Sequence, residues 1–285
     1  LSGQKLLAPV YHSVSDRPLP HLRHLYEVRS LRLFEQDLDS LLRHFQPLSA
    51  SDLLELLRKD QAPRQPSFFL SFDDGLREFH DLIAPLLLRK GVPAVNFLNP
   101  DFLDNRALMF RNKASLLIEH CRSHPQAAKA AQAWLHEQGR PPGLLHRRLL
   151  NIRYAERKLL DSLAAKLGIS FEDFLREKRP YLSAKQVRSL MAQNFDFGAH
   201  SLDHPRYDEL PLAEQLRQTR ESMDRLQAQF DLLHRLFAFP FTDYGISLDF
   251  FEAMYGPRPQ LQASFGAAGL KRDTHPRHQQ RMTVE

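Results

Sequence analysis

A parallel (β/α) barrel interrupted by a helical insertion is the architecture this sequence predicts, on three observations. Short apolar runs that end in polar residues alternate with amphipathic stretches. The alternation stops between residues 106 and 180 and then resumes. The unusual polar residues stand where the apolar runs end. Strand-then-helix repetition is the mark of a parallel sheet, and in a closed barrel the loops after the strands carry the site. At 285 residues the whole chain, 1–285, is read as one such domain.

The first apolar run, residues 6–11, ends at His12 and Ser13 and reads as a buried strand. Leu31, Phe34, Leu38, Leu41, Leu42 and Phe45 then recur at three and four, one face of a helix. Asp52 and Glu55 stand at capping-box spacing before a second Leu-rich helix, which Pro63 and Pro66 close. Residues 67–72 (SFFLSF) form a continuous apolar strand ending in Asp73-Asp74-Gly75. Helical spacing returns over 79–88 and stops at Gly91, and 92–98 is the next strand. Beyond the insertion, helices at 184–191, 212–230 and 248–254 alternate with strands at 195–199, 235–239 and 261–265.

Residues 106–180 are charged and helix-favouring, broken by Pro141-Pro142-Gly143, and show no convincing strand. They hold 15 Lys+Arg and 7 Asp+Glu, a net of +8 against −3 for the rest, so the chain's excess of +5 comes wholly from the insertion. The basic residues are scattered, which favours solvated helix faces that stabilise the barrel over a basic cap that recognises an anionic saccharide. Trp134, the sole tryptophan, is read as packing between these helices. At 42% apolar and 26% charged the composition excludes a disordered or fibrous chain. The single cysteine, Cys121, excludes a disulfide scaffold and a thiolate zinc site, so any metal must sit on His and carboxylate. No apolar run approaches the ~18 residues that cross a bilayer, and no signal core is present, so a cytoplasmic protein is expected. The mild basic balance does not argue for nucleic acid.

Three strand ends carry the chemistry. Asp73-Asp74-Gly75 follows Phe72, His200-Ser201-Leu202-Asp203-His204-Pro205 follows Ala199, and Pro240-Phe241-Thr242 follows Phe239. Two carboxylates at the end of an apolar strand are costly to bury unless a cation or hydrogen bonds compensate them. Two imidazoles four residues apart can converge on one metal ion. Spacing alone says little, because 14 His in 285 residues produce about 0.7 such pairs by chance. His120 and His124 share the spacing inside the insertion and read as exposed helix histidines. His200 and His204 differ because they follow a strand in the same fold position as the Asp pair.

Ser71-Phe72-Asp73-Asp74-Gly75, Gly198-Ala199-His200-Ser201-Leu202-Asp203-His204-Pro205 and Phe237-Ala238-Phe239-Pro240-Phe241 resemble the first three ordered motifs of the polysaccharide deacetylases, the NodB-homology superfamily. The resemblance covers residues 6–105 and 181–270 and leaves the insertion unexplained. It implies an α/β fold, a distorted (β/α) barrel of the NodB-homology type. It implies a carbohydrate N-deacetylase acting on acetamido groups of a poly-, oligo-, lipid-linked or nucleotide-linked saccharide, with an acetylated carbohydrate as the partner. By the same resemblance Asp74, His200 and His204 would bind a divalent metal, usually zinc, and Asp73 would be the general base. Such a two-histidine, one-carboxylate site keeps positions open for a water and for the substrate carbonyl. The oxyanion would also meet the backbone N–H of Phe241.

Further roles follow from the resemblance. Members often carry an Arg two residues before the third-motif proline, which tethers the catalytic Asp. Ala238 stands there in this chain, which predicts a differently oriented Asp73. The late His that serves as general acid is assigned to His275 in preference to His278. His12, in Tyr11-His12-Ser13, and Pro240 are assigned to substrate contact, and Asp203 to a turn or supporting role. Two alternatives remain open: hydrolysis of another non-peptide C–N bond, and a carbohydrate-binding protein that kept the fold and lost the reaction.

Overall fold

The computed structural model of the chain describes residues 5–271 and 275–284. Its strands are β1 (Leu6–Leu7), β2 (Pro9–Tyr11), β3 (Gln46–Pro47), β4 (Ser67–Phe68), β5 (Ser71–Phe72), β6 (Val95–Leu98), β7 (Asp196–Ala199), β8 (Leu236–Ala238), β9 (Ala263–Gly266), β10 (His278–Gln280) and β11 (Met282–Thr283). Eight of them form a parallel sheet in the order β10-β9-β8-β7-β6-β5-β2-β11. Its two end strands are consecutive pieces of chain, separated only by Arg281, with β10 paired to β9 and β11 paired to β2. That last stretch closes the ring, giving the distorted (β/α) barrel expected.

The distortion comes from the two apolar runs read above as single strands. Each changes partner midway. β1 and β4 join β3 in a separate three-stranded sheet, whereas β2 and β5 lie in the barrel. At the centre β6 and β7 pair over four residues, and the ladder runs one step further, His200 N–H donating to Leu98 O at 2.8 Å. Gly198 permits this close stacking, since a Cβ there would stand 2.7 Å from Leu236 O and from the Phe97 ring.

Helices α1 (Leu31–His44), α2 (Ala50–Arg58) and α3 (Ala84–Lys90) pack outside the first half of the barrel, and α9 (Ala184–Met191), α10 (Leu212–Phe230) and α11 (Leu248–Tyr255) outside the second. The capping box of α2 is Ser49 with Asp52, three residues earlier than the Asp52 and Glu55 pair, because the helix begins at Ala50. The core between helices and sheet is aromatic, built on Phe34, Phe72, Phe79, Phe197, Phe237 and Phe239.

The insertion is helical throughout: α4 (Phe110–Ser123), α5 (Pro125–Glu137), α6 (Leu145–Leu150), α7 (Lys158–Lys166) and α8 (Phe171–Lys178). It has its own core, formed by Leu117, Ile118, Cys121, Leu135, Leu149, Leu160 and Leu163. Trp134 is buried among them, a packing role. His120 and His124 stack on each other at 4.3 Å, and His124 Nδ1 contacts His120 O, so one helix end accounts for both.

Candidate metal centre at the barrel mouth

Every parallel strand delivers its next residues to the same end of the barrel, and that end holds a cavity of about 310 Å³. His12 follows β2, Asp73 and Asp74 follow β5, His200 and His204 follow β7, Phe239 and Phe241 follow β8, and Arg281 lies between β10 and β11; all of them line it. Tyr26 and His24 from the loop before α1, and Met109, Arg111 and Leu150 from the insertion, complete the wall.

Asp74, His200 and His204 are buried and each offers one ligand atom to a common point. Asp74 Oδ1 lies 3.3 Å from His204 Nε2 and 3.6 Å from His200 Nε2. Ligand atoms on a tetrahedral zinc with bonds of about 2.0–2.1 Å are about 3.4 Å apart, so the spacing fits such an ion. The tautomer fits as well. His200 Nδ1 lies 2.8 Å from Ala238 O, a carbonyl that can only accept, so Nδ1 carries the proton and Nε2 presents a lone pair. Burial lowers the His200 pKa to about 4 and puts that of His204 well below its ordinary value, which keeps both rings neutral, the form that ligates.

The loops that hold these groups are conformationally costly. Asp74, Ser201, His204 and Phe241 adopt positive φ (70°, 66°, 62° and 58°), four of the ten non-glycine residues that do so among the described residues. Backbone of this kind persists only where surrounding contacts over-determine it. Here Asn99, at the end of β6, donates to His200 O and Ser201 O, His204 N–H donates to Ser201 Oγ, and Gln218 of α10 accepts from Leu202 N–H.

Asp73 is oriented by a partner that was not anticipated. Arg281 donates from Nη1 to Oδ1 at 2.7 Å and from Nη2 to Oδ2 at 2.8 Å, a two-pronged pair in which both residues are buried. The same guanidinium donates to Ser71 Oγ and Gly266 O. Burial alone would raise the Asp73 carboxyl; Arg281, and after it His200, outweigh this and hold it below the usual carboxylate range. Ala238 therefore does not leave Asp73 untethered, because the closing stretch supplies, in Arg281, the cation that the third motif lacks.

The third-motif loop forms a tight turn in which Thr242 N–H donates to Pro240 O at 2.7 Å, with Phe241 at its apex. Phe241 N–H has no acceptor among the described residues, and its ring lies 4.6 Å from that of His204. Pro240 is buried and outside the cavity wall. Asp243 ties this loop to the closing strand, accepting from His278 Nε2 at 3.0 Å and Gln280 Nε2 at 2.6 Å. His278 is thus a buried structural residue. His275 is not brought to the site: it stacks on Tyr255 at 4.3 Å and on Phe251 at 5.6 Å, outside the cavity. Asp203 joins barrel to insertion, accepting from Gln218 Nε2 at 3.0 Å and Tyr154 Oη at 2.5 Å.

No family model matches the sequence, and no curated protein matches it. Solved structures do. A deacetylase of Streptococcus pyogenes, PplD, in complex with acetate superposes with a TM-score of 0.63 at 13% identity, over 98% of this chain and 92% of that one. IcaB from Ammonifex degensii gives 0.62 at 16% identity, over 99% and 93%. A de-N-acetylase from Aggregatibacter actinomycetemcomitans gives 0.60 at 14% identity, over 98% and 95%. Likeness at this identity is likeness of fold, and it spans the whole barrel and the insertion alike. The chain accordingly has the fold of these solved proteins, a deacetylase and a de-N-acetylase among them, with a buried Asp-His-His group where its strands open.

Proposed function

We propose that the protein is a metal-dependent hydrolase that removes the acetyl group from an acetamido sugar of a saccharide. The observation that carries this reading is the Arg281-clamped Asp73 beside Asp74, His200 and His204 on the floor of one cavity. A divalent ion, zinc by the mixed N/O donor set, would supply Lewis acidity toward the amide carbonyl and an acidified water.

The chain's own groups do the rest. Asp73 is ionised at neutral pH and held in one orientation, with Oδ2 3.8 Å from His200 Nε2. Its remaining lone pairs take the proton of the attacking water. Phe241 N–H donates to the carbonyl oxygen as that atom gains charge. The leaving nitrogen must be protonated, and His275 does not line the cavity. His12 lines the cavity, stacks on Tyr26 at 4.8 Å and lies near enough to Asp73, His200 and His204 to act on all three electrostatically. It takes the general-acid role in this mechanism. The binding-protein alternative rested on Ala238 and on the late His; the first motive is removed by Arg281.

The test begins with metal content and acetate release. Purified protein supplied with zinc is expected to hold about one ion per chain, and His204→Ala to hold none. Acetate release from an acetylated saccharide should accompany the metal and disappear with it. A protein that takes up no zinc, or that holds zinc and releases acetate from none of a panel of acetylated sugars, would overturn the reading.

A further inference from the structure

Among the charged groups of the cavity wall, Arg111 is answered only at a distance, by Glu209, which also stands against Arg153 and Arg206. Asp73 is paired with Arg281, and Asp74 faces His200 and His204. Arg206, beside the mouth, is paired with Asp208 at 2.8 Å. Arg111 donates to the Leu150 carbonyl and is flanked by the rings of Phe110 at 5.7 Å and Phe241 at 5.6 Å. No carboxylate among the described residues lies within salt-bridge reach of it.

The placement is costly in three ways. Arg111 is half-buried, so its charge is partly desolvated. It sits in the first turn of α4, whose dipole disfavours a cation there. Burial and, after it, the neighbouring Arg206 charge push its pKa down, and the opposing pull of Glu209 does not offset them. The Leu150 carbonyl and the two aromatic faces offset part of this cost without neutralising the charge. A divalent ion on Asp74, His200 and His204 would make the cavity more positive still.

We propose that Arg111 is a specificity-determining residue: it binds an oxyanion of the substrate, a phosphate or carboxylate carried on or next to the acetamido sugar. The inference rests on the deacetylase reading and names its substrate class. The guanidinium is planar and matches either oxyanion two bonds at a time. The Phe241 ring lies between it and His204, so it stands at most about 10 Å from the His204 ring, the two separations laid end to end. That span accommodates one sugar with its acetamido group at the metal ligands and its anion at Arg111. The insertion, net +8 over residues 106–180, favours approach of such a substrate over a neutral one.

The experiment compares acetate release from a neutral oligosaccharide of N-acetylglucosamine, from N-acetylglucosamine 1-phosphate, and from an oligosaccharide in which N-acetylglucosamine alternates with a uronic acid. Zinc-loaded wild type should favour at least one anionic substrate over the neutral one tenfold or more in kcat/KM, mainly through KM. Which anion is favoured distinguishes phosphate from carboxylate. Arg111→Gln should bring the ratio to near one, and Arg111→Lys should restore part of it, which a purely structural role would not do. Calorimetric binding of the same sugars to wild type and Arg111→Gln gives a readout free of turnover. Charge-selective binding lost in the variant, without acetate release, keeps this inference and sinks the deacetylase reading. Acetate release with equal kcat/KM for neutral and anionic sugars, or a preference unchanged in Arg111→Gln, sinks this inference alone.

Discussion

The barrel and the insertion meet at one cavity but contribute to it differently. The barrel supplies Asp73, Asp74, His200, His204 and Arg281, all buried, with Asp73 answered by Arg281 and Asp74 set against the two neutral imidazoles. The insertion supplies Met109, Leu150 and the half-buried Arg111, which has no carboxylate within salt-bridge reach among the described residues. The insertion has one core of its own, but a second apolar cluster joins Leu22, Leu76, Phe102 and Tyr181 of the barrel to Leu108, Met109 and Leu175 of the insertion; Phe241 also packs against the insertion's cluster, and Tyr154 reaches Asp203. On the proposed reading, the reaction would sit where the backbone is most constrained, and substrate choice on the inserted helices beside it.

Substitutions on the barrel side should affect turnover whatever the substrate. His204→Ala is expected to abolish both zinc binding and acetate release, while its melting profile in the metal-free form shows a folded protein. Asp73→Asn should keep the metal and lower kcat by about 10²–10⁴-fold, the usual worth of a positioned base. Arg281→Met removes the cation from a buried pair and should cost about 3–5 kcal/mol in denaturant unfolding. In whatever fraction folds, the acid limb of the rate profile should move to higher pH, because the Asp73 carboxyl is no longer held down.

Acid should act on the barrel through its histidines first. An exposed imidazole titrates near 6.5, whereas burial keeps His200 neutral down to about 4. The unfolded chain therefore takes up a proton before the folded one does, so metal-free protein should lose stability as pH falls from about 6.5 to about 4. The Asp73 and Arg281 pair contributes in full above about pH 4 and fades only below it. Thermal melts at half-unit pH steps check both windows; a flat profile across the upper one would contradict the neutral, buried His200. The smallest effect belongs to the seam. Tyr154→Phe should cost about 1–2 kcal/mol and loosen the insertion, seen as faster hydrogen exchange there with the barrel unchanged.

Legibility in the sequence follows the same division. Asp73-Asp74 and His200 to His204 could be read because each is a short local motif and because strand ends of a parallel barrel converge. The alternation of elements could be read for the same reason, since periodicity is local. The partner change within residues 6–11 and 67–72 could not, because an unbroken apolar run looks the same whether it follows one neighbour or two. Arg281 is 208 residues from Asp73, between two strands of three and two residues that leave almost no periodic trace. Only the cost of burying Asp73 and Asp74 at the end of an apolar strand hinted that a cation was needed somewhere. The placement of His275 and His278 could not be read from the sequence, because it is set by distant partners: His275 stacks on Tyr255 and Phe251, and His278 is held by Asp243 and Ser264.

The stretch from His278 to Thr283 has a consequence in time as well as in space. During synthesis, Asp73 leaves the ribosome roughly 200 residues before the arginine that neutralises it. Until that arginine docks, the ring of strands is open and its base has no fixed direction. On the proposed reading, closure of the ring and orientation of Asp73 are one event, so a nascent or nicked chain lacking this stretch would carry Asp74, His200 and His204 but an Asp73 without its guanidinium. Acetate release would then report on completion of the fold, and a protease that clips the closing stretch would act as an off-switch without touching Asp74, His200 or His204.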